Sequence, residues 1–531
     1  MKKLLIPILG MTALTFLNSC SDEFLDVNKN VNEAYNNQVT PKDRLSAAET
    51  VIYRTQSVTM NRFGNLMMNA WAGNIYYFAS PFGDEFRMRA DSQFYNGIWD
   101  NIYLGVGNYQ AIIDHPDAAK YPHHVAISKI MKAYYMQMLV DLYNDIPYSE
   151  AFKGQANKSP KYDKAKDVYK GLLNELNQAL VLINQTPQNS TLNLVANEDP
   201  IFSATSADMS NWKKMANTVK LKMLVRLSKC TDPEVITWRN AELQAMAPLT
   251  ADPANFITAD VRINPGYSTA SALQRNPYYQ QYGRIDIDTN EINQNWRLVL
   301  ASDHIIKSLK GETALTSGLV DTRITRLFIA NGWSAPSNTD ISLYRGQVQG
   351  GGKVTGDEEG DFAVLGSFMA YNSSSATAAG YVLSLAEVKF LQAEAAVVYP
   401  TTMLFNPQVA FNDGVTASFT TFGSTAAAAN IYIANSSTKP GVGWAATTNK
   451  IEAIQYQKWV ALTNINPTET FISYNKTGFP QLPMPLGSYY PSRPKRLMYA
   501  QSEYISNTAN VPNPSIDQMY TVNEYSPFWM K

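Results

Sequence analysis

The chain has 531 residues, of which 45% are hydrophobic and 17% are charged, a composition that argues against disorder over most of its length. Its formal net charge of −1 argues against a nucleic-acid partner, because such a partner requires a basic surface. The 31 Tyr, 21 Phe and 9 Trp residues suit both core packing and recognition of sugars or peptides, since Tyr and Trp combine a flat apolar face with a polar group.

The N-terminus has the layout of a secretory signal peptide. Lys2 and Lys3 precede a mostly apolar run over residues 4–17, and a small residue stands directly before Cys20. The pattern resembles the lipobox of bacterial lipoproteins, except that Asn18 stands where a smaller or apolar residue is usual. It predicts a signal peptide over residues 1–19 and a lipid attached to the sulfur of Cys20. An ordinary cleaved signal with an incidental cysteine is the alternative.

The sequence after the signal predicts a body tethered to the membrane and not embedded in it. Its most apolar stretch, residues 386–399, is broken by three charged residues and falls short of the ~18 apolar residues that a spanning helix needs. Residues 20–41 are polar and rich in asparagine, which predicts a tether, and residues 42–531 form the body. With Cys20 lipidated, Cys230 is the single remaining thiol, so we expect no internal disulfide.

Helical periodicity recurs along the body. Tyr95, Trp99 and Tyr103 are spaced by four residues, which predicts one buried helix face. Residues 130–142 show the same helical spacing and predict another helix. This helix is expected to end before Pro147, because the residue before proline disfavours helical dihedrals. The remaining predicted helices cover residues 165–183, with Asp163 as N-cap, then residues 212–229 and 296–309.

Two later helices are predicted from their N-terminal signals. Ser384 with Glu387, and Asn449 with Glu452, have the spacing of a capping box, in which the two side chains satisfy each other's free backbone amides. Trp459 follows the second box at a core position of the predicted helix.

Long polar or glycine-rich stretches separate these helices. Because structureless loops of such length are uncommon in compact domains, we expect them to be functional. The spacing of about 34 residues between the helices around Met131 and Ala165 is typical of tetratricopeptide-like stacking, although the Trp-x-x-Leu-Gly signature of that repeat is missing. The stretches are residues 185–206, 260–291, 331–379 and 400–449.

Five segments, in the same order along the chain, resemble motifs of the SusD/RagB family of outer-membrane nutrient-binding lipoproteins. In the last of them Asn475 and Lys476 replace two arginines of the family's aromatic-Arg-Arg-Thr-Gly-x-Pro run. The segments are 141–152 (DLYNDIPYSEAF), 211–218 (NWKKMANT), 386–395 (AEVKFLQAEA), 457–462 (QKWVAL) and 474–480 (YNKTGFP).

The resemblance implies one mostly α-helical domain over residues 42–531, in which tetratricopeptide-like helix pairs form a scaffold and a large loop-rich half carries the ligand. It also implies a lipoprotein of the outer membrane that faces the cell exterior and passes its ligand to a TonB-dependent SusC-like transporter. The acidic residues 21–23 resemble the surface-export signal of such proteins. The expected ligand is an oligosaccharide or polysaccharide, with a peptide as the alternative.

Aromatic and polar residues outside the periodic segments are the candidate ligand contacts, because sugar rings pack on aromatic faces while amide and charged groups bind hydroxyls. For each of them, core packing is the alternative interpretation. Tyr278 and Tyr279, with Tyr282, are expected to be exposed in a loop. The candidates are Trp71, Asn74, Tyr76, Tyr77, Arg87, Asn276, Tyr278, Tyr279, Trp296 and Trp333.

The motifs do not favour catalysis. The sequence has no Gly-x-Ser-x-Gly element, its four histidines lack metal-ligand spacing, and the run Gly350-Gly351-Gly352-Lys353 departs from the P-loop at both ends. Two carboxylates distant in sequence could still meet, so a surface glycoside hydrolase stays open as a distant alternative. We predict no enzyme activity and no cofactor. Residues 356–361 form a solvated acidic loop, with a structural calcium site as the alternative.

Overall fold

The computed structural model describes residues 39–330 and 340–531. Cys20, almost all of the predicted tether and Trp333 lie outside these residues, so the expectations placed on them stay predictions. The first described helix begins at Pro41, one residue before the predicted start of the body.

The described residues contain eighteen α-helices, and this confirms the predicted, mostly α-helical fold. A π-helical segment, Thr55–Met60, joins the first two helices. The helices are α1 (Pro41–Arg54), α2 (Asn61–Met67), α3 (Gly83–Phe86), α4 (Asn96–Ile113), α5 (Pro122–Tyr143), α6 (Ala165–Leu182), α7 (Ser210–Arg226), α8 (Pro233–Met246), α9 (Pro277–Tyr282), α10 (Gln294–Arg297), α11 (Asp303–Lys310), α12 (Ile324–Leu327), α13 (Leu385–Val398), α14 (Pro407–Thr421), α15 (Ala426–Ser436), α16 (Lys450–Leu462), α17 (Pro467–Thr477) and α18 (Gln501–Ser506).

Neighbouring long helices pack in pairs. Helix α4 packs on α1 and α5, and α5 packs on α6 and α7. Helix α13 packs on α14 and α16, while α17 joins α16 to α2. The predicted stripe of α6 lies in the core at Val168, Tyr169, Leu172 and Leu176, while α5 is buried on nearly every side because other helices surround it.

Two helix predictions are wrong in detail. Helix α6 is not capped by Asp163, whose carboxylate instead accepts the backbone amides of Tyr148 and Ser149, at 2.8 Å each. The predicted helix over residues 296–309 is interrupted by a strand, because its middle residues pair with residues 71–73.

The prediction of an unstructured stretch over residues 400–449 is also wrong. It contains α14 and α15, whose weak amphipathic patterns hide them from a periodicity search. Their starts are defined by caps: Asn406 accepts the amide of Val409 at 3.1 Å, and Thr425 accepts that of Ala428 at 3.1 Å.

Short strands complete the fold. Four of them form an antiparallel sheet, in which Trp71 pairs with Ala301 and Leu300 pairs with Val364. This sheet brings the segment after residue 73 beside residues 297 and 359. The strands are β1 (Trp71–Gly73), β2 (Val261–Ile263), β3 (Val299–Ala301), β4 (Phe328–Ile329), β5 (Val364–Leu365) and β6 (Gly380–Leu383). The four-stranded sheet has the order β1-β3-β5-β4, and β2 and β6 form a separate pair.

A buried network of charges joins the helical half. Arg226 contacts Glu469 at 2.7 Å and Asp141 at 3.1 Å, and Lys222 and Lys458 contact Glu469 at 2.9 and 2.8 Å. Four positive and four negative side chains take part, so the network is neutral. They are Lys222, Arg226, Lys458 and Lys476 with Asp141, Glu387, Glu394 and Glu469.

Within residues 39–330 and 340–531, none of the helices combines the length and the apolar character needed to cross a membrane.

Candidate ligand-binding site

The loop after β1 presents Tyr76 and Tyr77 beside the four-stranded sheet. Asn74 shapes it: its side-chain oxygen accepts the backbone amides of Tyr76 and Tyr77 at 3.2 and 3.3 Å, an Asx turn. Its amide nitrogen donates to the carbonyl of Arg297 at 2.9 Å and to Glu359 at 3.1 Å. Asn74 is fully buried, so it positions the two tyrosines and does not itself face solvent.

Tyr77 is the exposed aromatic of this loop, with 50% of its surface accessible. The guanidinium carbon of Arg297 lies 3.3 Å from the centre of its ring, a cation–π contact. Glu359 fixes Arg297 through two hydrogen bonds, one of them at 3.2 Å. Tyr77 is thus a supported ring that offers surface to a ligand.

Tyr76 is half-buried and anchors the neighbouring acidic loop. Its ring stacks on Phe362, with centres 5.0 Å apart, and its hydroxyl lies 3.4 Å from Asp357. Hydrogen bonds from Arg345 lower the pKa of Asp357. Two carboxylates of the 356–361 loop are therefore paired with arginines.

In the part of the chain that the structure describes, no three His, Cys, Asp or Glu side chains are grouped to hold a metal.

A groove of about 270 Å³ lies beside this loop, and we call it the arginine groove after Arg87, which is exposed on its wall. Val348 and Leu486 expose apolar surface along it. Gly350 allows the close approach of its two walls, because a side chain there would place Cβ 2.1 Å from the carbonyl oxygen of Leu486, and its φ is +70°.

A second cavity of about 390 Å³, which we call the amide cleft, lies nearby and is also lined by the segment around α3. Arg62 and the hydroxyl of Tyr95 both contact Glu85, at 2.9 and 2.8 Å. Burial, followed by the charge of Glu85, raises the pKa of Tyr95 well above its ordinary value. The polar side chains Gln93, Asn96 and Gln281 complete the lining.

The backbone around the amide cleft is strained. Phe82, Met88 and Tyr95 have φ values of 58°, 56° and 54°, which are uncommon for bulky residues and cost about 1–3 kcal/mol each. Val58 and Thr59 reach the cleft from the π-helical segment, a geometry that recurs at functional sites. Because Tyr95 has this left-handed backbone, it stands directly before α4 and is not part of the helix face that was predicted from Tyr95, Trp99 and Tyr103.

The expectation that Tyr278, Tyr279 and Tyr282 are exposed is wrong, since each is at most 3% accessible. They belong to α9, which Asn276 caps by accepting the amides of Tyr278 and Tyr279 at 2.9 and 3.4 Å. The cap turns their rings into the core, and Asn276 itself is fully buried. Of this group, Tyr282 reaches the lining of the amide cleft.

Trp71 and Trp296 are also core residues. Trp71 donates to the side-chain oxygen of Asn464 at 2.8 Å, and Trp296 donates to the carbonyl of Leu365 at 3.3 Å. Both are fully buried, which agrees with core packing, the alternative interpretation of these residues. Trp333 lies outside the described residues.

From the sequence-predicted set, the structure thus brings together Asn74, Tyr76 and Tyr77, and it places Arg87 on the arginine groove, which Ile75 and Ala79 of the same loop also line. Sequence reasoning missed the residues that support and flank them, because these come from distant parts of the chain and carry no local motif. They are Arg62, Glu85, Tyr95, Arg297, Glu359, Phe362, Val348 and Leu486.

The family model SusD-like_2, described as "Starch-binding associating with outer membrane", matches residues 36–500. Comparison with curated proteins finds no match.

Several solved structures share the fold. A chitin-binding SusD homolog from Flavobacterium johnsoniae has 19% identity and a TM-score of 0.68, covering 92% of this chain and 98% of that chain. A SusD homolog from Bacteroides uniformis has 20% identity and a TM-score of 0.66, covering 92% and 99%. A SusD/RagB family protein from Bacteroides thetaiotaomicron has 18% identity and a TM-score of 0.65, covering 88% and 95%. At these identities the likeness shows the fold.

Proposed function

This chain belongs to the SusD-like family, and on that premise we propose that it is a cell-surface lipoprotein that binds an oligosaccharide or polysaccharide and delivers it to a TonB-dependent SusC-like transporter. The chitin-binding homolog among proteins of the same fold supports a glycan as the ligand.

The observation that carries the proposal is the exposed ring of Tyr77, held by Arg297 next to Tyr76 and near the arginine groove. A sugar ring presents C–H groups that pack on such a face. Arg87 and the amide side chains Gln93, Asn96 and Gln281 offer hydrogen bonds to hydroxyls from the flanking cavities.

Most of the charge around the site is compensated, which suits a neutral glycan better than a peptide with ionised termini and side chains. Three arginines are each paired with a carboxylate, while Arg87 on the arginine groove and Asp84 on the amide cleft are exposed and form no ion pair within the described residues. The pairs are Arg297 with Glu359, Arg345 with Asp357, and Arg62 with Glu85.

The proposed role is reversible binding without chemical change of the ligand. Aromatic packing and hydrogen bonds hold a ligand that must later be released to the transporter. The distant alternative, a glycoside hydrolase, would form shortened products from the glycan that it binds.

Calorimetry of the full chain with a panel of soluble glycans and peptides tests the proposal, with product analysis after incubation. We expect binding of at least one glycan without products. In Tyr77→Ala the affinity should fall about 5- to 150-fold, which corresponds to a stacking contribution of about 1–3 kcal/mol by analogy with bases on aromatic rings.

Tyr77→Phe is the matched control, because it keeps the ring and should bind within a few-fold of the wild type. Tighter binding of peptides than of every glycan would contradict the proposal, as would wild-type affinity in Tyr77→Ala.

A further inference from the structure

A third cavity, of about 280 Å³, lies between α11, α16 and residues 479–482. We call it the histidine cavity after His304. None of its lining residues lines the arginine groove or the amide cleft. It is therefore a separate site within the described residues.

Two polar side chains of the histidine cavity form no hydrogen bond with any residue that the structure describes. Ser308 is 2% exposed, and within the described residues its hydroxyl makes no hydrogen bond. Among the same residues the ring of His304 makes no hydrogen bond either, and its centre lies 5.7 Å from that of the Trp459 ring. Burial, and then the charge of Arg493, lowers the pKa of His304 to about 4, so the neutral ring has one donor and one acceptor at pH 7.

The walls are aromatic and apolar. Tyr456, Trp459, Phe479 and Leu482 form them, and Trp459 is fixed by a 2.8 Å hydrogen bond from its indole nitrogen to the carbonyl of Met68. The lining thus combines flat apolar faces with a few hydrogen-bonding groups that are not otherwise used.

The rim carries one exposed apolar side chain and one carboxylate. Leu315 is 39% exposed, and Glu452 pairs with no lysine or arginine in the part of the chain that the structure describes. Gly441 lies beside both of them, because a Cβ there would be 2.7 Å from Leu315 Cδ1 and 3.8 Å from Glu452 Oε2.

One chain segment connects this cavity with the arginine groove. Residues 479–482 line the histidine cavity, and Leu486 and Gly487 line the groove. Arg493 fixes the segment between them by donating to the carbonyls of Leu482 and Pro483 at 3.3 and 2.7 Å. Ligands at the two sites would therefore contact the same short stretch of chain.

We propose that the histidine cavity is a second saccharide site that takes a single neutral pyranose ring, a proposal that rests on the function proposed above. The C–H groups of the ring pack on the partly exposed Phe479 and Leu482, above the buried rings of Trp459 and Tyr456, and its hydroxyls bind His304, Ser308 and Glu452. The volume is just below the range of about 300–1,000 Å³ that is typical of ligand pockets, so it suits one ring better than a longer chain.

Saturation-transfer NMR titrations of the full chain test this with two probes, methyl β-D-glucopyranoside and methyl N-acetyl-β-D-glucosaminide. Benzyl alcohol serves as an aromatic comparison without a sugar ring. We expect saturable binding of at least one pyranoside. Leu315→Trp, which fills the rim, should weaken it at least tenfold, and Ser308→Ala should weaken it about threefold or more.

Val320→Trp is the matched control, since Val320 is 40% exposed and does not line the cavity. It should bind like the wild type. Binding of the pyranoside that persists in Tyr77→Ala supports an independent second site, even where binding of long glycans is lost. The proposal is overturned if neither pyranoside binds saturably, if Leu315→Trp binds like the wild type, or if benzyl alcohol binds more tightly than both pyranosides.

Discussion

Tyr77 and Tyr278 have the same side chain and opposite environments. Half of Tyr77 is accessible, whereas Tyr278 is 1% accessible. An asparagine precedes each of them and makes the difference: Asn74 turns the chain outward after β1, while Asn276 starts a helix whose aromatic residues face the core. Residue type alone therefore does not separate a ligand contact from a core residue.

Tyr278 should behave as a core residue in stability measurements. Tyr278→Ala is expected to lower the free energy of unfolding by about 3–5 kcal/mol, because it leaves a large cavity. Within the described residues the hydroxyl of Tyr278 has no partner, so Tyr278→Phe should be neutral or stabilising. Urea denaturation of both variants checks this, and a loss above about 2 kcal/mol in Tyr278→Phe would contradict it.

Several helices owe their mutual placement to the buried charges. Asp141 lies on α5, Arg226 on α7, Glu387 on α13, Lys458 on α16 and Glu469 on α17. Most of the segments that resemble family motifs thus contribute a side chain to one network. The charged side chains of this network have a structural role, and none of them lines the arginine groove, the amide cleft or the histidine cavity.

Removing one charge from this network should be costly. Glu469→Gln leaves Arg226, Lys222 and Lys458 short of a buried partner and should lower the free energy of unfolding by about 3–5 kcal/mol. Glu234→Gln is the control, because Glu234 pairs with Lys166 at an exposed position, where the loss should stay within about 0.5 kcal/mol. Equal losses in the two variants would contradict the structural role.

The same network predicts a pH dependence. Burial alone would raise the pKa of Glu469, but Arg226, Lys222 and Lys458 outweigh it and hold the pKa well below 4.5. The stabilisation is therefore fully present above pH 4.5 and is lost as the pH falls through the lower, folded-state value. The wild type should lose more stability than Glu469→Gln between pH 5 and pH 3, and parallel pH profiles would contradict this.

For the molecule as a whole, the family to which the chain belongs is associated with the outer membrane, and the predicted lipid on Cys20 would attach the protein there. Several acyl chains hold a protein durably, because each buried methylene contributes roughly 0.8 kcal/mol.

Metabolic labelling with palmitate tests the anchor. The wild type should incorporate the label and sediment with membranes, while Cys20→Ala should do neither. Cys230→Ala is the control, because Cys230 is buried and forms no disulfide within the described residues, so the label should persist. Equal labelling of Cys20→Ala and the wild type would contradict the anchor.

The sequence by itself determined the mostly helical class, the stripe of α6 and the core position of Trp459, because apolar periodicity and capping are local properties. It also carried the family resemblance, which the family model confirms over residues 36–500. Helices α14 and α15 were not predicted from the sequence, because tertiary packing, and not an amphipathic pattern, stabilises them.

Only the tertiary structure decided which aromatics face solvent and what surrounds them. The ring of Tyr77 is supported by Arg297 and Glu359, and the segment around α3 lies beside α9 at the amide cleft. These partners are separated by hundreds of residues, and their contacts follow from strand pairing and helix packing. No local pattern encodes such contacts, so the sites became visible only when the chain was folded.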